Sequence, residues 1–337
     1  MGKRKGVKYR LNTPVKRIET NATRATGVVL ENGEVIEADE IICNADLIYS
    51  YNNLLPSTTY AKSLSKRKAS CSSISFYWAL DKQFPELTAH NIFLAEEYKE
   101  SFDSIFKKHL IPDEPSFYVN VPSRVDPSAA PHGCDAVVVL VPVGHLLDND
   151  DDKHEGTPSA SRSTQDWDDM VAIARKTILG TIETRLKISL REHIKHESVN
   201  TPPSWKETFN LDRGAILGLS HSFFNVLSFR PKTSHPDIKG LHFVGASTHP
   251  GTGVPIVLAG AKIVSEEILK AADGSRIPWA ENGTVTEKKS NSPLDKVQPL
   301  FGLLHLFILA FLCAIPMLYF TNFESQNWKL PEVGNDW

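Results

Sequence analysis

Cysteine is scarce in this chain of 337 residues: Cys43, Cys71, Cys134 and Cys313 stand far apart, with no Cys-x-x-Cys pair. That spacing argues against a zinc site or a disulfide framework and fits free thiols in a reducing compartment. A basic stripe is missing too. With 37 Lys and Arg against 40 Asp and Glu and a formal charge of −3, nothing points to nucleic acid as a partner. "MGKRKGVKYR" is followed by no apolar core, so it does not read as a signal peptide. The acidic run "DNDDD" at 148–152 lacks the interleaved ligands and glycine turn of a calcium loop, and reads as part of a solvated segment reaching to about residue 163. No metal site is expected, and no serine or cysteine nucleophile arrangement is visible.

What is present suggests two cores. At 41% hydrophobic residues the chain can bury one large core or two ordinary ones, and two domains is the expectation. β structure is read over residues 8–44, with a hairpin at Asn32-Gly33 and a short buried strand "EIIC" ending at the turn Asn44-Ala45-Asp46. Further strands are read at 72–80, 116–121 and 135–143, with a proline-rich loop before the last. A long helix follows, with Ser163 and Asp166 spaced as a capping box. Met170, Ala174, Ile178, Ile182, Leu186, Leu190 and Ile194 recur every fourth residue and form its packing stripe. Beyond a polar linker, Pro299–Phe320 contains no Asp, Glu, Lys or Arg and has the length of a membrane-crossing helix. A buried core helix is the competing reading. Lys288, Lys289 and Lys296 before it place the bulk of the chain in the cytosol by the positive-inside rule.

The stretch "GLHFVGASTHPGTGVP" at 240–255 carries the chemistry. "LHFVG" reads as a buried strand, and Pro250-Gly251 as the centre of a type II turn. Gly245, Ala246, Gly251 and Gly253 leave room for another surface to lie against the main chain. Pro255 reads as the first residue of an amphipathic helix lined by Val257, Ala261, Val264 and Ile268. Val254 then falls at the capping position, where no side-chain acceptor is available. Two readings stay open on this local chemistry: a seat for an anionic or electron-rich group, or a tight connection whose donors meet only water.

"LGLSHSFFNVLSFRPKTSHPDIKGLHFVGASTHPGTGVPIVLAGAKI" (217–263) resembles the C-terminal signature of bacterial and fungal-type phytoene desaturases, FAD-dependent relatives of the amine-oxidase flavoproteins. "YRLNTPV" (9–15), "GVVLENGEVIEADEIICNADLIYSYNNLLP" (27–56), "SISFYWAL" (73–80) and "VPSRVDPSAAPHGCDAVVVLVPVGHL" (121–146) agree in order, so the resemblance covers most of residues 7–270. It implies FAD as cofactor, with Gly245, Ala246, Ser247, Thr248, His249, Gly251, Gly253, Val254 and Pro255 as the residues beside it. His249 is read as a packing and hydrogen-bonding residue in preference to a base, Arg230 as a surface ion-pair residue in preference to a phosphate ligand, and Asp126 as a turn former.

The implied fold is mixed α/β: a partial FAD-binding Rossmann-like domain with an inserted substrate domain, plus a C-terminal transmembrane helix. Residues 1–50 and 226–274 fall to the FAD-binding domain, 51–225 to the substrate domain, 275–298 to a linker, 299–320 to the membrane helix and 321–337 to a tail. The implied activity is desaturation of phytoene, a linear polyene, in carotenoid biosynthesis, with membrane lipid as a further partner and a homo-oligomer left open. No G-x-G-x-x-G fingerprint is found, so the chain reads as the C-terminal part of a longer desaturase. The alternative is a non-catalytic, tail-anchored remnant that binds lipid or a full-length partner. A flavin amine oxidase with a polar substrate is disfavoured by "THPGTGVP" and "VPSRVDP". The catalytic residue is left unassigned.

Overall fold

The computed structural model describes residues 2–147 and 165–273. The polar segment from 148, Ser163, the linker, the membrane-helix candidate and the tail lie outside the described residues. Among the described residues, ten strands form three sheets: β1 (Val15–Thr20), β2 (Ala25–Leu30) and β3 (Val35–Glu37); β4 (Ile41–Cys43) with β10 (Leu241–Phe243); and β5 (Ser72–Leu80), β6 (His90–Phe93), β7 (Phe117–Asn120), β8 (Asp135–Val143) and β9 (Ile194–Asn200). The helices are α1 (Leu47–Tyr49), α2 (Thr59–Ser65), α3 (Tyr98–Asp103), α4 (Trp167–Leu186), α5 (Pro202–Phe209) and α6 (Val254–Asp273). The fold is mixed α/β.

The largest sheet is antiparallel, in the order β6-β7-β8-β5-β9. Alternation sorts its two faces. Ile74, Phe76 and Trp78 pair with Val141, Val139 and Val137, and all six are buried under α4 with Met170, Ala174, Ile178, Leu179 and Ile182. Each such Ile, Leu or Val stabilises the fold by about 1.5–3 kcal/mol relative to exposure. The opposite face carries Ser73, Ser75 and Tyr77 against Pro142, Leu140 and Val138.

Helix α4 is shorter than the sequence suggests. Its cap is Asp166, whose side chain accepts from the Asp169 N–H, and it stops where Lys187 turns left-handed at φ 57°. Glu183 Oε1 takes the N–H groups of Leu190 and Arg191 in the reversal that follows. Leu190 is therefore fully buried off the helix, and Ile194 opens strand β9. The four-residue spacing ran through a helix end that carries neither glycine nor proline.

The Asn32-Gly33 hairpin forms between β2 and β3, with a three-residue loop. Leu30 N–H meets Glu34 O, Gly33 N–H meets Leu30 O, and Gly33 sits at φ 87°. A type I turn closed by a left-handed glycine gives this geometry. Strands β4 and β10 are parallel, Ile41 opposite Leu241 and Cys43 opposite Phe243. Those four residues face a second core with Leu47, Ile48, Tyr51, Leu54 and Leu64, in which Tyr51 stacks on Phe243 at 5.0 Å. Cys43, Cys71 and Cys134 are free thiols.

Candidate functional site

Parallel pairing puts the carboxyl ends of β4 and β10 side by side, the position where open α/β sheets bind ligands. Asn44-Ala45-Asp46 leaves one strand there, and Gly245 leaves the other. A β-carbon added to Gly245 would lie 3.2 Å from Asn44 Oδ1. Gly245, Gly251 and Gly253 adopt φ of 119°, 138° and 107°, which side chains disfavour. The bend needs these glycines for its shape as well as for its bareness.

The helix start differs from the expected register by one residue. Val254 is the first residue of α6, and the first intrahelical bond runs from Val257 N–H to Gly253 O at 2.9 Å. Gly253 is thus the cap and Pro255 the second helical residue. Pro255 still wastes no donor there, because the first turn has no intrahelical partner. The N–H groups of Val254 and Ile256 have no acceptor among the described residues. Val254 is 73% exposed, and Ile256 and Leu258 are exposed beside it. Among the described residues this helix start is solvent-facing. Ala261, read from sequence as part of the buried stripe, is exposed, and Gly260 packs instead on Pro250 and His249 O.

The turn before the helix is also different. The His249–Pro250 bond is cis, and Gly251 at φ 138° is far from the value near +80° of a type II turn. Ser247 and Thr248 point inward. Ser247 Oγ accepts from Leu219 N–H at 3.1 Å, and Thr248 Oγ1 donates to Gly245 O at 3.0 Å. Only their main chain is available to a ligand. His249 is exposed, and its hydrogen bond is through the backbone, from its N–H to Pro231 O at 2.8 Å. Asp126 is a turn former as read, accepting from Ser128 N–H and Oγ.

Arg230 is neither a surface ion-pair residue nor a phosphate ligand. It is 2% exposed, and among the described residues the acceptors of its guanidinium are main-chain carbonyls: Asn225 O at 2.6 Å, Thr248 O at 3.2 Å, Leu219 O at 3.4 Å, Ser220 O at 3.5 Å, and Ala246 O. Burial and the nearby Arg67 charge lower its pKa. His221 sits on the same side, its Nε2 3.6 Å from a β-carbon placed on Gly251, with its pKa lowered by burial and by Arg230.

A groove of about 420 Å³ lies on the open face of the large sheet. Ser75, Tyr77 and Leu140 line it, with Trp205 and Phe209 from α5 and Asp46 from the end of β4. Burial pushes the Asp46 carboxyl up to about 6 against the Tyr49 N–H that it accepts at 2.9 Å, and the Asp212 charge adds to the rise. Asn44, Asp46 and the inward Arg230 escaped the sequence reading. For the first two a signal existed, since a turn at the carboxyl end of a parallel strand is a ligand-binding position.

A family profile described as flavin containing amine oxidoreductase matches residues 1–269. The chain belongs to that family. The phytoene desaturase of Fusarium fujikuroi is 55% identical over 325 residues, covering 92% of this chain and 57% of the relative. That of Neurospora crassa is 53% identical over 309 residues, covering 88% and 50%. The zeta-carotene-forming phytoene desaturase of Myxococcus xanthus is 41% identical over 272 residues, covering 80% and 49%. The resemblance read from the sequence therefore holds, and the chain spans about half the length of the curated relatives it matches. An oxidoreductase from Methanosarcina mazei shows a remote likeness in shape, with TM-score 0.47 at 15% identity over 75% of this chain and 49% of that one.

Proposed function

We propose that this chain is the flavin-facing part of an FAD-dependent phytoene desaturase of carotenoid biosynthesis. The observation that carries the reading is the uncovered start of α6, reached through a positive-φ glycine bend at the carboxyl ends of two parallel strands. Identity of 53–55% to fungal phytoene desaturases supplies the substrate class. The residues fit a flavin: the bend offers bare main chain to a flat ring, and the Val254 and Ile256 N–H groups offer positive dipole to a negative group. When bound, FAD supplies the acceptor for a hydride leaving one saturated carbon, while the adjacent carbon releases a proton and a C=C bond forms.

The chain's own residues bind and orient. Gly245, Ala246, Gly251, Gly253, Val254 and Pro255 present the cofactor surface, with Ser247, Thr248 and His249 contributing main chain. The groove of Tyr77, Leu140, Trp205 and Phe209 gives a hydrocarbon shape and apolar contact, at about 0.8 kcal/mol per buried CH₂. The same reading assigns residues 1–50 and 226–274 to the cofactor side and 51–225 to the substrate side. Two separate hydrophobic clusters support that division, although Tyr51, Leu54, Leu55, Ala61, Leu64 and Leu219 join the cofactor-side core.

A substrate of this kind resides in lipid, so the reading includes a membrane-held protein, crossing once at 299–320, with its bulk in the cytosol. The uncharged sequence of that segment supports the crossing. Among the described residues, no helix is long and apolar enough to cross a membrane.

The test is expression of the chain, joined to the N-terminal half that its curated relatives carry, in cells that accumulate phytoene, with pigment extracted and the purified protein scanned for flavin absorbance. Desaturated pigment together with bound flavin is expected. Membrane fractionation with neither flavin nor desaturated pigment would replace this reading with a lipid- or partner-binding role.

A further inference from the structure

Arg230 joins two segments that the sequence separates. On one side it holds the carbonyls of Leu219, Ser220 and Asn225; on the other it holds those of Ala246 and Thr248, inside the glycine bend. The two segments meet again where Ser247 Oγ accepts the Leu219 N–H. Buried arginines are ordinarily paired with a carboxylate, which offsets the cost of removing the charge from water. Here the acceptors among the described residues are carbonyl dipoles, so the positive charge is solvated without being neutralised. We propose that Arg230 is a positioning residue for the cofactor: its guanidinium fixes the Gly245–Gly253 bend against the Leu219–Asn225 turn and leaves a net positive charge behind that bend.

This inference rests on the flavin reading above. Its two parts have separate consequences. As a five-donor fork, arginine spans carbonyls that a lysine ammonium, with three donors on one atom, cannot all reach. As a cation close to the bend, either residue favours the more negatively charged, reduced form of a bound flavin. Shape and charge are therefore separable by substitution.

The experiment compares wild type with Arg230→Lys and Arg230→Met, each in the chain joined to the N-terminal half that its curated relatives carry and each titrated with FAD. Four quantities are read: FAD affinity, flavin reduction potential, melting temperature, and amide exchange over 219–225 and 245–253. Arg230→Met is expected to bind FAD at least about tenfold more weakly. Its potential moves to more negative values, and exchange quickens in both segments while β5 and β8 stay protected. Arg230→Lys also loses affinity and protection but holds its potential close to wild type. Wild-type affinity in Arg230→Lys overturns the positioning role, and this variant decides the matter alone where Arg230→Met does not fold. A lowered melting temperature with affinity and potential unchanged also overturns it, since a merely structural staple would do no more. Wild type that binds no FAD at saturating concentration would sink the flavin reading itself, which the variants could not do.

Discussion

Asp46→Asn should make the protein more stable at pH 7.5 and leave it unchanged near pH 4. Asp46 caps α1 by accepting the Tyr49 N–H, and asparagine offers the same acceptor oxygen in nearly the same shape. What changes is the charge. Burial and Asp212 carry the Asp46 carboxyl up to about 6. Between about pH 4 and 6 the folded protein thus keeps a proton that the unfolded chain has released, and stability falls as pH rises through that window. Above it the loss is complete and constant. At about 1.4 kcal/mol for each tenfold in proton affinity, the ceiling is about 3 kcal/mol. Partial exposure of the side chain to the groove lowers the expected gain to about 1–2 kcal/mol. Urea unfolding at pH 4, 5, 6 and 7.5 reads the difference between the two proteins, in which the titration of other carboxyls largely cancels. A variant less stable than wild type at pH 7.5 would refute the reasoning. So would a gain of equal size at pH 4, because it could not come from ionisation.

Three further outcomes follow from other parts of the structure. Asp135 has a fully buried side chain that accepts from Arg124 Nη2 at 2.7 Å, Phe84 N–H at 2.9 Å and Ser123 Oγ at 2.9 Å. Burial opposes its ionisation, but the Arg124 hydrogen bond and its other donors hold its pKa below the ordinary value, so its contribution fades as pH falls through the acid range. Asp135→Ala should cost about 3–5 kcal/mol at pH 7, measured by urea unfolding, and a cost under about 1 kcal/mol would contradict a buried pair. Ile178→Ala empties a fully buried site between α4 and the large sheet and should cost about 2–5 kcal/mol by the same assay. Gly253→Ala meets nothing closer than Ile256 Cγ1 at 3.8 Å, so space is available and only φ 107° resists. It should cost about 1–3 kcal/mol and lower FAD retention, read as flavin absorbance per chain after gel filtration. Unchanged retention would detach the cap from the cofactor.

Legibility in the sequence followed periodicity where a residue's neighbours agree with it, and failed where a tertiary partner decides. Strand β8 alternates buried and half-buried residues because one face meets α4, strand β5 buries its first five residues and alternates only beyond them, and the bounds of both are those read from the sequence. Strand β9, "IKHESVN", has no fully buried residue and lies at the sheet edge, so no apolar signal marked it. Its first residue, Ile194, continued the four-residue spacing of α4 by coincidence, as did Leu190. Strand β6, "HNIF", is likewise short, polar and at an edge. The glycine bend was legible because positive φ nearly demands glycine. Arg230 was not, because carbonyl acceptors can be supplied by residues of any kind and leave no trace in composition.

Two buried charged residues, Asp135 and Arg230, make the point about function physically. Asp135 sits among the strands of the large sheet and receives a full complement: one guanidinium, one amide and one hydroxyl. Its charge is cancelled where it lies, which suits a group that only holds a strand end in place. Arg230 is as thoroughly buried, yet its acceptors among the described residues carry dipoles and no net charge. A staple between two loops needs donors; it does not need a surplus positive charge, which raises the cost of burial. That surplus is offset if an opposite charge arrives from outside the chain, and the open approach nearby is the one across the bend to the N–H groups of Val254 and Ile256. Both the cation and the helix start therefore favour the same kind of visitor, a flat group that becomes more negative as it accepts electrons.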